Sequence, residues 1–99
     1  SDLKFAARLY GQIGEAKTAL HLIERALSAN PKSAELQFEQ IALKDNSAAD
    51  QDYANLESLL ADRKVVGQVD EMYILHLVAK GRLDDAARFA DELVTRSPD

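Results

Sequence analysis

Cysteine and tryptophan are absent from this 99-residue chain, and glycine and proline together number only six. Without cysteine there is no disulfide framework and no thiolate metal site, and no redox compartment is indicated. No apolar run approaches the ~20 residues that a membrane-spanning helix needs, so direct membrane insertion is not expected. Cations are outnumbered, twelve Lys and Arg against seventeen Asp and Glu, for a net charge of −5. That balance argues against nucleic acid as the main partner. What is present is apolar material: 46% of the residues are hydrophobic, which argues against a disordered chain. A chain of this size buries roughly 65% of its unfolded surface on folding, enough for a modest core without covalent staples.

Catalytic chemistry is also scarce. His21 and His76 are the only histidines, and no HExxH, cysteine cluster or paired Glu-x-x-His accompanies them. Both read as solvated or edge histidines. The four glycines form neither GxGxxG nor a Walker A loop, so no phosphate cradle is expected. The carboxylate pairs Glu35/Glu39, Asp50/Asp52, Asp84/Asp85 and Asp91/Glu92 fall on polar helix faces or in first turns. Asp84 and Asp85 suit the positive end of a helix dipole there. Ser28, Ser33 and Ser58 have no His/Asp partner arrangement. The chain therefore reads as non-catalytic, with no cofactor and no metal.

Its most informative feature is an internal repeat. GEAKTALHLIERALSANP (14–31) aligns without a gap on GRLDDAARFADELVTRSP (81–98), at a constant offset of 67 (81 minus 14). Gly14 pairs with Gly81, Ala16 with Leu83, Ala19 with Ala86, Leu20 with Ala87 and Ile23 with Ala90. Ala26 pairs with Leu93, Leu27 with Val94 and Pro31 with Pro98. The paired apolar positions step by three, four and seven, the period of one helical face. An apolar, proline-free stretch precedes each glycine, at 3–13 and 70–80. Glycine is favoured between two helices because the left-handed conformation costs it no Cβ clash. Pro31 and Pro98 then stop the second helix.

A helix ending at Gly, followed by a helix with small residues seven apart and a closing Pro, resembles the tetratricopeptide repeat (TPR). Leu3, Ala7, Tyr10, Gly14, Ala19, Ile23, Ala26 and Pro31 occupy that family's places in the first repeat. Ile74, Leu77, Gly81, Ala86, Ala90, Leu93 and Pro98 occupy them in the third, whereas Asp70 falls where a large residue is expected. The middle repeat diverges. Residues 34–45 carry two competing stripes, Leu36/Gln40/Leu43 and Phe38/Ile41/Ala42. Asp45-Asn46-Ser47 stands in place of the glycine turn, and Val65-Val66-Gly67 in place of the proline turn. Residues 50–63 read as the second helix, with Asp50 as N-cap and Tyr53, Leu56, Leu59 and Leu60 as the buried stripe. Ala54 and Ala61 reproduce the small pair on a different face.

The expected fold is all-α: a right-handed solenoid of helical hairpins, TPR-like, with about six antiparallel helices. They are placed near 2–13, 15–29, 33–45, 50–63, 69–80 and 82–96. One domain is expected over 1–99, with repeats at about 1–33, 34–66 and 67–99. Ser1 in place of an initiator methionine, and a helix starting almost at once, point to part of a longer protein. Stacking such hairpins buries stripes that a single hairpin cannot cover.

The resemblance implies a non-catalytic protein-protein interaction module or scaffold. Its concave groove would take a peptide or helix of another protein. Carried over by position, the groove residues are Lys4 and Arg8, then Phe38 and Ala42, then Glu71, Leu75 and Val78. Lys4 and Arg8 would supply charge, and Phe38 and Leu75 the apolar anchor. A TPR subgroup that clamps a chaperone's C-terminal carboxylate is not matched. Only Lys4 fits it; Arg8 and Ala42 replace its asparagines, and Gln68 and Met72 its late basic residues. The charge is uneven: +2 over 1–33, −4 over 34–66 and −3 over 67–99. An alternative is a recruitment or oligomerisation segment of a larger enzyme or of a secretion or envelope assembly; another is a structural spacer. An uncapped terminal repeat, with Leu77, Ala90 and Val94 as its open face, would give a route to self-association.

Overall fold

The structure, a computed structural model, describes residues 2–63 and 67–96. It is all-helical, with α1 (Asp2–Gln12), α2 (Ala16–Ala29), α3 (Ala34–Lys44), α4 (Asp50–Ala61), α5 (Gln68–Ala79) and α6 (Leu83–Arg96). A short 3-10 turn, Asp45–Ser47, follows α3, and there is no strand among the described residues. Every helix boundary lies within two residues of its expected place. The turns expected at Val65-Val66 and at Ser97-Pro98 lie outside the described residues.

The two glycine turns are built alike. Gly14 has φ +86° and Gly81 φ +76°. At the first, the Gly14 N–H donates to the Gly11 carbonyl (3.3 Å) and the Glu15 N–H to the Tyr10 carbonyl (2.8 Å). At the second, the Gly81 N–H donates to Val78 (3.0 Å) and the Arg82 N–H to Leu77 (2.8 Å). This is the Schellman closure, in which a left-handed residue turns the chain so that the last helical carbonyls are satisfied. The next helix starts at once, with Ala19 bonded to the Glu15 carbonyl and Ala86 to that of Arg82, both at 3.0 Å. The offset of 67 thus relates hydrogen bonds as well as residue types.

The chain divides into two compact units, residues 1–59 and 60–99, with the boundary inside α4. It falls within the middle repeat expected over 34–66.

In the first unit, α2 packs against both α1 and α3. Ala7, Ala19, Ile23, Ala26 and Leu36 form the buried centre, with Leu3, Leu22, Leu27 and Leu43 against it. Three alanines there keep the helices close. A Cβ built on Gly11 would lie 3.4 Å from Leu43 Cδ2, an ordinary contact. Ser33 caps α3, its Oγ accepting the Leu36 N–H at 3.2 Å. Asp45 ends α3 at φ +50°. Its ψ of −119° lies outside the left-handed helical region, so the chain turns here by a different conformation from that expected at the glycine turns. The N-cap expected at Asp50 is corrected: Asp50 is the first residue of α4. The reaching back is done by Asp52, which accepts the Ala49 N–H at 2.9 Å and pairs with Lys44 at 3.2 Å. Tyr53 and Leu56 are buried and Ala54 is exposed, so the leucine stripe of α4 is the inward one.

In the second unit, α6 packs against α5. Leu60, Val69, Tyr73, Leu77, Ala86, Phe89 and Leu93 are buried. The Tyr73 and Phe89 rings meet edge to face, with centroids 4.9 Å apart at 88°. Leu77, expected on an open face, is instead fully buried in this core.

Asp70 is only 1% exposed. Its Oδ2 accepts the Gly67 N–H at 2.8 Å, capping α5 from within, and Oδ1 has no hydrogen-bond partner. Arg96 Nη2 stands 3.7 Å from that Oδ1. The Arg96 Nη1 donates to the Leu60 carbonyl at 2.6 Å and to that of Arg63 at 3.4 Å, and its guanidinium lies 5.9 Å from the Phe89 ring centroid. One side chain from the last turn of α6 therefore ties the end of α4 to the start of α5.

Candidate functional site

The seven residues expected to line a groove lie in both units. Lys4, Arg8, Phe38 and Ala42 belong to the first; Glu71, Leu75 and Val78 belong to the second. Phe38 is corrected. At 9% exposed it is a core side chain, and no surface anchor is available from it. The reason lies in the two competing stripes of α3. Both contribute: Leu36, Phe38 and Ile41 are all buried, and Ala42 is left outside. Lys4 is half-buried. Arg8 is exposed and reaches across to α3, with Nη2 3.4 Å from Glu39 Oε1. A surface pair of this kind contributes ~0–1 kcal/mol, so it leaves the guanidinium available to a ligand.

On α5 the three expected residues come together. Glu71, Leu75 and Val78 follow one another at i, i+4 and i+7, and all three are exposed. Leu75 is 68% exposed, a large apolar side chain held in water. Met72, which sequence reading did not select as a groove residue, is exposed beside them, one turn before Leu75. The inward side of the same helix carries Val69, Tyr73 and Leu77, so α5 is held rigidly while its outer ridge is bare.

The carboxylates behave as structural groups. Glu39 pairs with Arg8 and Asp52 with Lys44; Asp85 pairs with Arg82 (3.3 Å) and Arg88 (3.6 Å), and Glu92 with Arg88 (3.0 Å). Among the described residues no group of three or more His, Asp and Glu is placed to hold a metal. His21 is exposed. His76 is half-buried, and burial first, then the Arg82 cation, hold its imidazole below the ordinary 6.5. An open recess of about 570 Å³ on α6 is lined by Ala61, Arg88, Asp91, Glu92, Thr95 and Arg96. Its one hydroxyl, on Thr95, donates to the Asp91 carbonyl of its own helix at 3.0 Å. The recess therefore holds charge and no activated nucleophile.

Two features of the surface escaped the sequence reading. One is the Arg96 tie. The other is an outward row of Phe5 and Leu9 on α1 and Ile13 just after it, whose spacing of four was visible in the sequence as a second apolar stripe. No protein-family model, curated protein or solved structure matches the chain.

Proposed function

We propose that this chain is a non-catalytic interaction module built from TPR-like helical hairpins, and that the outer ridge of α5 receives a helix or peptide of another protein. The observation that carries this reading is the ridge itself. Met72, Leu75 and Val78 expose apolar side chains at helical spacing on a helix fixed by its own core, with Glu71 on the same face. Apolar anchors on a rigid element are where interface energy concentrates, and flanking charge sets orientation and on-rate. Supporting the TPR-like architecture are the twin left-handed glycine turns and the small residues that follow each of them.

The test is selection of binders from a displayed library of amphipathic helical peptides, followed by calorimetry with one selected peptide. Leu75→Asp should weaken that peptide at least tenfold, about 1.4 kcal/mol or more. Arg25→Glu, on an exposed part of α2, should leave it unchanged. Loss of binding in Arg25→Glu together with full binding in Leu75→Asp would move the site off α5 and overturn the assignment.

A further inference from the structure

Two other outward faces have apolar side chains in water. On α1, Leu3 and Ala7 turn inward, while Phe5 (67% exposed) and Leu9, with Ile13 (72%) in the turn that follows the helix, make a row on the opposite side. A helix that is apolar on both sides is ordinarily covered on both. On α6, Leu83, Ala87, Ala90 and Val94 step by four, three and four, beside the inward Ala86 and Leu93. Leu83 is 62% exposed and Val94 74%.

The two rows differ in their electrostatic borders. The α1 row is edged by Arg8, which also pairs with Glu39 of α3, within a stretch (1–33) of net charge +2. The α6 row is edged by Asp84 and Asp91, both exposed and in no ion pair with a described residue, within a stretch (67–99) of net charge −3. An α1 row laid on another α1 row would bring Arg8 against Arg8, and two α6 rows would bring acid against acid. Only the mixed pairing joins apolar to apolar and opposite charge to opposite charge.

We propose that the α6 row of one copy of this chain docks on the α1 row of a second copy. The contact is heterologous, so the first copy keeps its α1 row and the second its α6 row for a further neighbour. It involves neither Leu75 nor Val78 and stands independently of the role given to α5.

The experiment is sedimentation velocity across a micromolar to millimolar series at low ionic strength, with the wild-type chain, Leu9→Glu and Val94→Lys. Both replaced side chains are exposed, and circular dichroism checks that the helices remain. If either variant loses helix, Phe5→Gln or Leu83→Gln takes its place. The wild type should gain mass with concentration, and added salt should reduce the gain as screening shortens. Each variant alone has one blocked face, and its association constant should fall at least tenfold. Mixed in equal amounts, the variants still offer one good α6 row and one good α1 row. The mixture should form a 1:1 dimer and nothing larger. A wild type that stays monomeric throughout would overturn the proposal. So would undiminished association of Val94→Lys, which would indicate a symmetric α1 contact, or a mixture that remains monomeric.

Discussion

Glycine is required at position 14 and replaceable at position 11. Gly14 holds φ +86° with nothing within 4 Å of where a Cβ would stand, so backbone conformation alone requires it. Gly11 is helical and meets only Leu43, at 3.4 Å, an ordinary contact for a methyl group. Gly14→Val should therefore lower stability by ~1–2 kcal/mol, since a β-branched residue strongly disfavours that φ. Gly11→Ala should raise it by up to ~1 kcal/mol, through helix propensity. Urea midpoints of the two variants, moving in opposite directions from wild type, check both. His76 gives a second residue-scale expectation. Its imidazole is held below 6.5 by burial and by Arg82, so below that pH the unfolded chain takes a proton that the folded chain refuses. Stability should fall as pH drops from 6.5 toward the folded value. Denaturant midpoints at about pH 7.5 and about 5.5 should show a smaller pH dependence in His76→Gln than in wild type. The role of Gly14 was legible in the sequence because it recurs at Gly81 in the same setting. The half-burial of His76 was not, because a lone polar residue inside a helix carries no periodic signal of its own.

At the scale of elements, the departure at Asp70 is answered by a second departure. The offset of 67 sets Asp70 over Leu3 and Arg96 over Ala29. Where the first unit places an apolar residue, the second places a buried carboxylate and brings an arginine to it from the far end of α6. Removing the arginine leaves that carboxylate buried without its counter-charge and frees two main-chain carbonyls. Arg96→Met should cost about 2–3 kcal/mol, below the 3–5 of a fully enclosed pair because the arginine is a quarter exposed. Arg88→Met, which removes the exposed pairs with Asp85 and Glu92, should cost under ~1 kcal/mol. Thermal melts of the two variants side by side decide it. Helix positions were readable here from apolar period, glycine and proline. The partner of Asp70 was not, since the contact joins residues 26 positions apart (96 minus 70) and charge spacing within one helix says nothing of it. Phe38 shows the same limit: periodicity finds the apolar faces of α3 and leaves open how many of them neighbours will cover.

Over the whole molecule, the recurrence at an offset of 67 and the charge sequence +2, −4, −3 could be read directly, but the break between residues 59 and 60 could not. It falls inside a helix, where no glycine, proline or polar run marks it. The two similar hairpins also face a problem of folding fidelity. Their glycine turns share one geometry, so a nascent chain offers α5 two similar helices as mates, α2 and α6. Repeat chains are prone to such misassembly. The pair of matched departures discriminates between them. With α2 in the place of α6, Ala29 would stand where Arg96 belongs, and Asp70 would be buried with nothing to neutralise it. With α6 beside α1, the guanidinium would meet Leu3. Each wrong pairing would forgo the Asp70–Arg96 pair, so that pair favours α6 as the mate of α5 between helices that their turns alone would not tell apart.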